Sequence, residues 1–489
     1  MDRFPKIPLK MGFLLLIMIV NPRLICYDDF MQKKTYKIKA WGCAMNLSDS
    51  ERIKAVMRAA DFKENNIQPD VVILVACSIR QSAIDRLWWQ IQINSQKPID
   101  NRQGILKRPL IVLTGCVLET DKKKFEKLVD ILIDIKKIEK LPVIINKKSE
   151  GVKIIKQLSN SATDYNYFHV SPVRDSKFSA LVPIMTGCNN YCSYCAVPYT
   201  RGREYSRPAQ KIIKEVENLV KNGYKEIILL GQNVNSYNGR LDSKSKIPDT
   251  KQIQNFKFKF QNDVITFSDL LRSLNALNGD FWIRFFTSHP KDLSDELIKT
   301  MKECDKVCKY INLPVQAGDN ATLKKMNRKY SIQHYKKLIG KLRKSMPNIA
   351  ISTDIIVGFP EETNKQFENS AKLFRDVKYD MAYIAQFSMR PGTAATKLKD
   401  NVRKEEKKHR EKILTEILKK TAWQNNKKYI GKLAKILVEK KIKNGKYFGK
   451  TESYKHVMFN GKKNLIGKFI MVKISGMVSF GLKGKIINT

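Results

Sequence analysis

Cys188, Cys192 and Cys195 stand in the spacing C-x3-C-x2-C within GCNNYCSYCAVPYTRGREYSRP, residues 187 to 208. Three thiolates at this spacing can hold three irons of a 4Fe–4S cluster and leave the fourth iron open to an external ligand. A structural zinc site wants four ligands closed into a tetrahedron, and no fourth Cys or His lies near this run. The chain has nine cysteines, an odd number, and the C-x3-C-x2-C spacing is too tight for a disulfide framework, so metal ligation in a reducing cytosol fits better. Tyr194 places an aromatic ring between the second and third cysteines, while Gly187, Pro198 and Gly202 let the backbone wrap a cluster closely.

A second trio is spread through the N-terminal third. The strand-like runs YKIKAW (36 to 41), VVILV (71 to 75) and PLIVLT (109 to 114) are each followed within two residues by a cysteine, Cys43, Cys77 and Cys116. Short apolar strands alternating with helical stretches predict a parallel α/β sheet from Tyr36 to about Ile145. In an open parallel sheet the carboxyl ends of the strands form the ligand crevice, so three such turns can place three thiolates around one point. A single buried cysteine is usually a small hydrophobe; three repeating one topological position point to a second iron-sulfur cluster.

The elements around the first trio form another βα series. Candidate strands are 180–186, 226–230, 281–286, 310–313, 349–357 and 381–387, with helices between them, one showing an apolar stripe of Phe267, Leu270, Leu271, Leu274 and Leu277. Six βα units predict a partial (β/α)6 barrel, open on one side to admit a large substrate. Residues 151–178 read as a linker, with the barrel core at 179–400 and a lysine-rich surface insertion between Asn238 and Asn262. Arg201 and Arg203 could bind phosphate or carboxylate, or form surface salt bridges; His289 and Asp354 stand at strand ends. Cys304 and Cys308, at i and i+4 on an expected helix, read as packing or surface cysteines.

Residues 401–426 read as a charged connecting helix, and 427–489 as short strands with Gly turns, a small OB-like β-barrel. This tail holds 16 Lys against Glu439 and Glu452, and the whole chain has a formal charge of +44. Such an excess suits a polyanion such as RNA, whose phosphates release counterions when neutralised. Lysines that merely solubilise every exposed face are the plainer reading. Residues 11 to 20, MGFLLLIMIV, are too short to span a membrane, and no small-residue cleavage site follows. The reading is therefore a leader or over-extended start over 1–33, with Met31 the alternative first residue, Cys26 incidental, and a cytoplasmic protein without a membrane partner.

From about residue 34 onward the chain resembles the methylthiotransferase family of the radical S-adenosylmethionine (SAM) superfamily. WGCAMNLSDSE, ACSIR and TGC, which carry Cys43, Cys77 and Cys116, resemble the three cysteine motifs of its N-terminal domain, here 34–150. RGREYSRP, LLGQNVNSY, RFFTSHP, LPVQAGD, TDIIVGFPEET and RPGTAA resemble its core, and the last 60 residues, with GKTESYKHVMF, resemble a TRAM domain. GQNVNSY points to the MiaB-type branch, the (dimethylallyl)adenosine tRNA methylthiotransferases. The usual Asn-Thr before the second N-terminal cysteine is Val75-Ala76 here, and the usual Ser of a later motif is Ala317; neither position is a cluster ligand.

The resemblance implies two 4Fe–4S clusters and two SAM molecules. One SAM methylates sulfur held on the N-terminal cluster; the other is cleaved to a 5′-deoxyadenosyl radical that abstracts hydrogen from carbon 2 of an isopentenylated adenosine beside the anticodon. It implies Cys188, Cys192 and Cys195 as ligands of the SAM cluster and Cys43, Cys77 and Cys116 as ligands of the other; Tyr194, on the cluster loop, and Gly358 and Glu361, at the end of the fifth barrel strand where barrel sites lie, are candidate cofactor contacts. Ordinary turn chemistry accounts equally well for Gly358, Pro360 and Glu361. Implied partners are a tRNA anticodon stem-loop, an electron donor such as a flavodoxin or ferredoxin, and iron-sulfur assembly or sulfur-donor proteins. Methylthiolation of threonylcarbamoyl-adenosine or of a ribosomal protein aspartate, and a non-enzymatic iron-sulfur RNA sensor, are the alternatives.

Overall fold

The computed structural model describes residues 34–78, 81–96, 108–149, 166–240, 264–442, 445–461 and 464–487. The apolar run at 11 to 20, Cys26 and Met31 lie outside these, as do most of the stretch read as an insertion and the first half of the predicted linker, 151–165.

Five strands build the N-terminal sheet: β1 (Thr35–Ala40), β2 (Lys63–Glu64), β3 (Val71–Cys77), β4 (Leu110–Cys116) and β5 (Ile131–Leu132). They run parallel in the order β2-β1-β3-β4-β5. β3 is buried along its whole length, which is why VVILVAC shows no polar alternation. Its odd residues Val71, Ile73 and Val75 pack with Ile53 and Met57 of helix Ala44–Ala59, and its even residues Val72 and Leu74 with Leu87 and Ile91 of helix Gln81–Gln96. The structure sharpens one expectation: β3 and β4 do not stop short of their cysteines but end on them.

The central unit contains β6 (Ser179–Pro183), β7 (Met185–Thr186), β8 (Tyr205–Ser206), β9 (Glu226–Leu230), β10 (Asn238–Arg240), β11 (Val264–Thr266), β12 (Trp282–Phe285), β13 (Tyr310–Asn312), β14 (Ala350–Val357) and β15 (Met381–Gln386). β6, β9 and β12 form one parallel half and β13, β14 and β15 another. A parallel bridge between Ile283 and Val307 joins the halves, so the six strands follow one another in space as in sequence. Among the described residues no pairing links β6 to β15, which leaves the barrel open.

Two expectations are corrected. The single strand read over 180–186 is two: after Pro183 the chain leaves β9 to pair antiparallel with β8, with the Ile184 amide still donating to the Leu230 carbonyl at 2.9 Å. Cys304 and Cys308 do not share a helix, because helix Asp295–Glu303 ends at Cys304, whose ψ of 108° is extended. The chain must straighten there so that Val307 can pair with Ile283 and continue the barrel. Both cysteines are buried.

Helix Lys404–Lys427 leads to a closed five-stranded barrel of β16 (Leu433–Lys441), β17 (Lys446–Thr451), β18 (His456–Asn460), β19 (Phe469–Val478) and β20 (Gly481–Ile486). Closure pairs every edge, and the core is filled by side chains such as Ile436, Val457, Val472 and Leu482. This barrel is fastened to the central one. Glu226 of β9 takes Arg284 Nε at 2.6 Å and Lys450 Nζ at 2.9 Å, all three side chains being buried. Arg284 also donates to the carbonyls of Thr451 and Glu452, Lys455 pairs with Asp380 at 2.7 Å, and Trp282 meets Phe469 with ring centroids 4.6 Å apart. At least three tail lysines therefore dock the domain, since Lys435 also reaches Asp280.

Removing one partner of a buried ion pair strands the others without water, at a cost of about 3–5 kcal/mol. Glu226→Ala should lower the urea-unfolding free energy by that order and expose the Thr451–Lys455 turn to limited proteolysis. A loss below about 1 kcal/mol, with the turn still protected, would show that Glu226 does not fasten the two barrels.

Candidate metal-cluster sites

The carboxyl edge of the N-terminal sheet brings Cys43, Cys77 and Cys116 together. Cys77 and Cys116 are directly paired in register at the ends of β3 and β4, and Cys43 stands at the N-cap of helix Ala44–Ala59. Cys43 is exposed, while Cys77 and Cys116 are buried. Asn46 gathers them: its side-chain oxygen is 3.7 Å from both the Cys43 and Cys116 sulfurs, and its Nδ2 donates to the Ala76 carbonyl at 2.7 Å. Close backbone approach is built in. A Cβ on Gly42 would lie 2.8 Å from the Cys77 Cβ, and one on Gly115 would lie 2.5 Å from the Ala76 carbonyl oxygen.

Cys188, Cys192 and Cys195 lie on the loop after β7. Cys188 N donates to the Gly202 carbonyl and Cys195 N to the Cys192 carbonyl. Segment 325–328 clamps the loop: Ser193 Oγ donates to the Lys325 carbonyl, Ser193 N to the Met326 carbonyl, and Asn327 Nδ2 to the Tyr191 carbonyl. Buried Arg328 points Nη1 at the Cys192 sulfur at 3.6 Å, and Asn190 Nδ2 is 3.4 Å from that of Cys188. Gly187 has a positive φ of +78°, and a Cβ there would lie 2.0 Å from the Arg203 carbonyl oxygen. Burial pushes the Cys195 thiol up to about 12, with the neighbouring Cys192 thiol adding to the shift.

No group of three or more His, Cys, Asp or Glu side chains among the described residues is arranged to hold one metal ion. A 4Fe–4S cluster instead places each thiolate on its own iron. The three-thiol donor sets and the cramped glycines beside them fit such a group at both places, and no disulfide joins the described cysteines.

Arg201 connects the two trios. It ends the short helix Val197–Arg201 that follows Cys195, and its Nε donates to the Cys116 sulfur at 2.8 Å. Its Nη2 pairs with Asp49 at 2.6 Å, both side chains being buried, so the surface salt bridge read for Arg201 is an interior one. Asp49 also accepts from the Tyr167 hydroxyl. Burial pushes the Cys116 thiol up, and the Arg201 guanidinium pulls it back.

Between this bridge and the barrel strand ends lies a cleft of about 370 Å3, lined by Cys43, Cys116, Val197, Arg201, Gln232, Asn312, Asp354 and Tyr454 among others. The side-chain oxygens of Gln232 and Asn312 are buried without a hydrogen-bond partner. Asp354 is thus at the cleft, while His289 is buried and does not line it; burial together with the Arg328 and Lys291 charges pushes His289 down to about 2, leaving its ring neutral. Tyr194 packs with Ala317 and Phe359. Gly358 has a packing reason of its own, since a Cβ would come within 2.3 Å of Lys407 Cγ. Glu361 pairs with Lys325 at 2.7 Å, half-exposed beside the clamped loop. Asn46, Asp49, Arg328 and Tyr454 were not singled out in the sequence; only Asn46, three residues after a cysteine at a helix start, carried a local signal.

Three family models match the chain: the Radical SAM superfamily over 182–374, Uncharacterized protein family UPF0004 over 35–134, and the TRAM domain over 427–487. A relative from Clostridium tetani (strain Massachusetts / E88), named tRNA-2-methylthio-N(6)-dimethylallyladenosine synthase, is 39% identical over 94% of this chain and 98% of its own. One of the same name from Clostridium novyi (strain NT) is 40% identical over 93% of this chain and 97% of its own. A solved structure of the radical S-adenosylmethionine methyltransferase TsrM from Kitasatospora setae, with cobalamin and a [4Fe-4S] cluster bound, superposes with a TM-score of 0.49 at 11% identity, covering 74% of this chain and 77% of that one.

Gly187→Ala is expected to destabilise the fold by at least about 1–3 kcal/mol, the cost of a strained left-handed residue, before the carbonyl clash is counted. Gly340→Ala, inside helix Ile332–Ser345 with nothing within 4 Å of its Cβ, should instead stabilise by about 0.5–1 kcal/mol. Chemical denaturation of the two variants separates backbone conformation from a generic effect of added bulk; equal changes in both would contradict the cradle.

Proposed function

The chain belongs to the tRNA-2-methylthio-N(6)-dimethylallyladenosine synthase family of radical SAM enzymes, and from that membership we propose that it places a methylthio group on carbon 2 of an N6-isopentenylated adenosine beside the tRNA anticodon. The observation that carries this reading is convergence. Arg201, six residues beyond Cys195, donates to the sulfur of Cys116, so the segment that follows Cys188, Cys192 and Cys195 is tied to the sheet edge that carries Cys43, Cys77 and Cys116, and both Arg201 and Val197 of that segment line the cleft with Cys43 and Cys116. A single radical site would need only the first trio.

On this reading Cys188, Cys192 and Cys195 hold one 4Fe–4S cluster and Cys43, Cys77 and Cys116 hold another. When bound, the first supplies SAM chelation and its reductive cleavage to a radical, and the second supplies an iron that carries sulfur. The chain's own residues position and shield this chemistry. Arg328 and Asn190 direct N–H groups at the sulfurs of the first trio, and Arg201 and Asn46 hold those of the second. Carbon 2 of adenine bears no acidic proton for a base to take, so hydrogen abstraction by a radical is the activation that fits.

An anticodon-loop base is single-stranded and can be splayed into a cleft of this size. The lysine-rich C-terminal barrel supports a tRNA partner through its phosphates. No helix among the described residues is long and apolar enough to cross a membrane. Free thiolates need reducing surroundings, so we place the reaction in the cytosol.

Nucleoside analysis of tRNA from a strain lacking the gene should show isopentenyladenosine without its 2-methylthio form; survival of the methylthio form would sink the proposal. Anaerobically reconstituted protein should carry about eight irons per chain. Replacing Cys188, Cys192 and Cys195 by Ala should leave about four, as should replacing Cys43, Cys77 and Cys116. About four irons in the wild type would contradict the second cluster.

A further inference from the structure

We propose that Tyr454, carried by the C-terminal barrel, is a base-contacting residue whose ring forms, with Phe286 and Tyr310, the aromatic wall on which the target adenine stacks. This rests on the proposed reaction and adds to it a substrate contact made by the third domain.

Tyr454 lies on the turn between β17 and β18, yet it lines the same cleft as Cys43, Cys116 and Arg201. Its ring centroid is 4.9 Å from that of Tyr310, with the planes 35° apart, and 5.4 Å from that of Phe286 at 70°. Phe286 directly follows β12 and Tyr310 opens β13. The three rings therefore form one surface assembled from two domains.

The turn is held for this placement. Tyr454 has a φ of +61°, a left-handed conformation rare for an aromatic residue and strained for any side chain with a Cβ. Surroundings must over-determine it, and they do. The amide of Tyr454 donates to the Thr451 carbonyl at 3.1 Å, and that of Lys455 to Thr451 Oγ1 at 3.1 Å. Arg284 grips the carbonyls of Thr451 and Glu452, and the Arg284 guanidinium and Lys450 ammonium lie 5.1 and 5.3 Å from the Tyr454 centroid. A general RNA-binding barrel needs none of this; its lysines suffice for phosphate.

A stacking face is what an extruded base requires, because aromatic side chains take up the base surface lost on unstacking. Polar groups to read the base edge are at hand in Gln232 and Asn312, whose side-chain oxygens are buried, unpartnered and on the same cleft.

The test uses reconstituted full-length protein and an anticodon stem-loop carrying isopentenyladenosine. Wild type, Tyr454→Phe, Tyr454→Leu and Tyr454→Ala are compared for kcat/KM of methylthiolation, 5′-deoxyadenosine released per product, stem-loop affinity and Tm. Loss of a stacked ring should reduce kcat/KM roughly 5- to 100-fold in the Leu and Ala variants. It should also raise 5′-deoxyadenosine per product, because SAM is cleaved with the base misplaced, while stem-loop affinity stays within about threefold. The Phe variant should stay within about threefold of wild type on every readout. If Ala fails to fold, Leu carries the comparison, since it keeps bulk and loses only the ring. Wild-type kcat/KM and coupling in the Leu variant would overturn the proposal, as would a Phe variant as impaired as Leu. A wild-type protein that makes no methylthio product would overturn the reaction itself.

Discussion

A guanidinium taken out of water must have its charge and its N–H groups matched, or the fold loses several kcal/mol. Arg201 sits at 3% exposure between two units that share no local sequence, with its Nη2 on Asp49 and its Nε on the Cys116 sulfur. Asp49 is on helix Ala44–Ala59, whose N-cap is Cys43, and the Tyr167 hydroxyl donates to the same carboxylate. Arg52, one helical turn along, lies over the Tyr167 ring at 4.9 Å. The charge can be satisfied only when the N-terminal sheet edge meets the loop after β7. That condition brings the short helix that follows Cys195 against the sheet edge that carries Cys43 and Cys116, at one side of the cleft.

The second constraint has the same form at the other side of the barrel. Glu226 and Arg284, on neighbouring central strands, have no water to pair with, and Lys450 of the C-terminal barrel completes their charge balance together with Glu439. The Glu226 carboxyl is consequently held below the usual carboxylate range despite its burial, by the Lys450 and Arg284 charges. A module that could have hung on a tether is thereby fixed in orientation, with Tyr454 turned into the cleft. Buried ion pairs here contribute orientation, since apolar packing of Trp282 on Phe469 could have supplied the adhesion.

What could be read beforehand follows from how local each signal is. C-x3-C-x2-C is a spacing within eight residues, and each of the other three cysteines follows closely on a strand-like run, so both trios could be picked out along with the parallel sheet, the open six-strand barrel and the small C-terminal barrel. Arg201 was read as a phosphate or carboxylate binder or a surface salt bridge, and its buried carboxylate partner could not be named because Asp49 lies 152 positions away. Tyr454 was hidden more deeply: its role depends on a left-handed turn and on docking between domains, neither of which leaves a periodicity. The shared helix expected for Cys304 and Cys308 was wrong because pairing of Val307 with Ile283 overrode helical continuation, a tertiary demand on a locally permissive sequence. Pro183 similarly marked the break that split the first barrel strand as its pairing passed from β9 to β8.

The proposed reaction needs a metal cluster at each cysteine trio, with Arg201 between them. Anaerobic crystals of the reconstituted protein with SAM, with diffraction recorded on both sides of the iron absorption edge, test this directly. The account predicts two anomalous peaks of cluster size, one beside Cys188, Cys192 and Cys195 and one beside Cys43, Cys77 and Cys116, both facing the cleft with Arg201 at its edge. A single peak at Cys188, Cys192 and Cys195, or a second peak that faces away from Arg201, would contradict it.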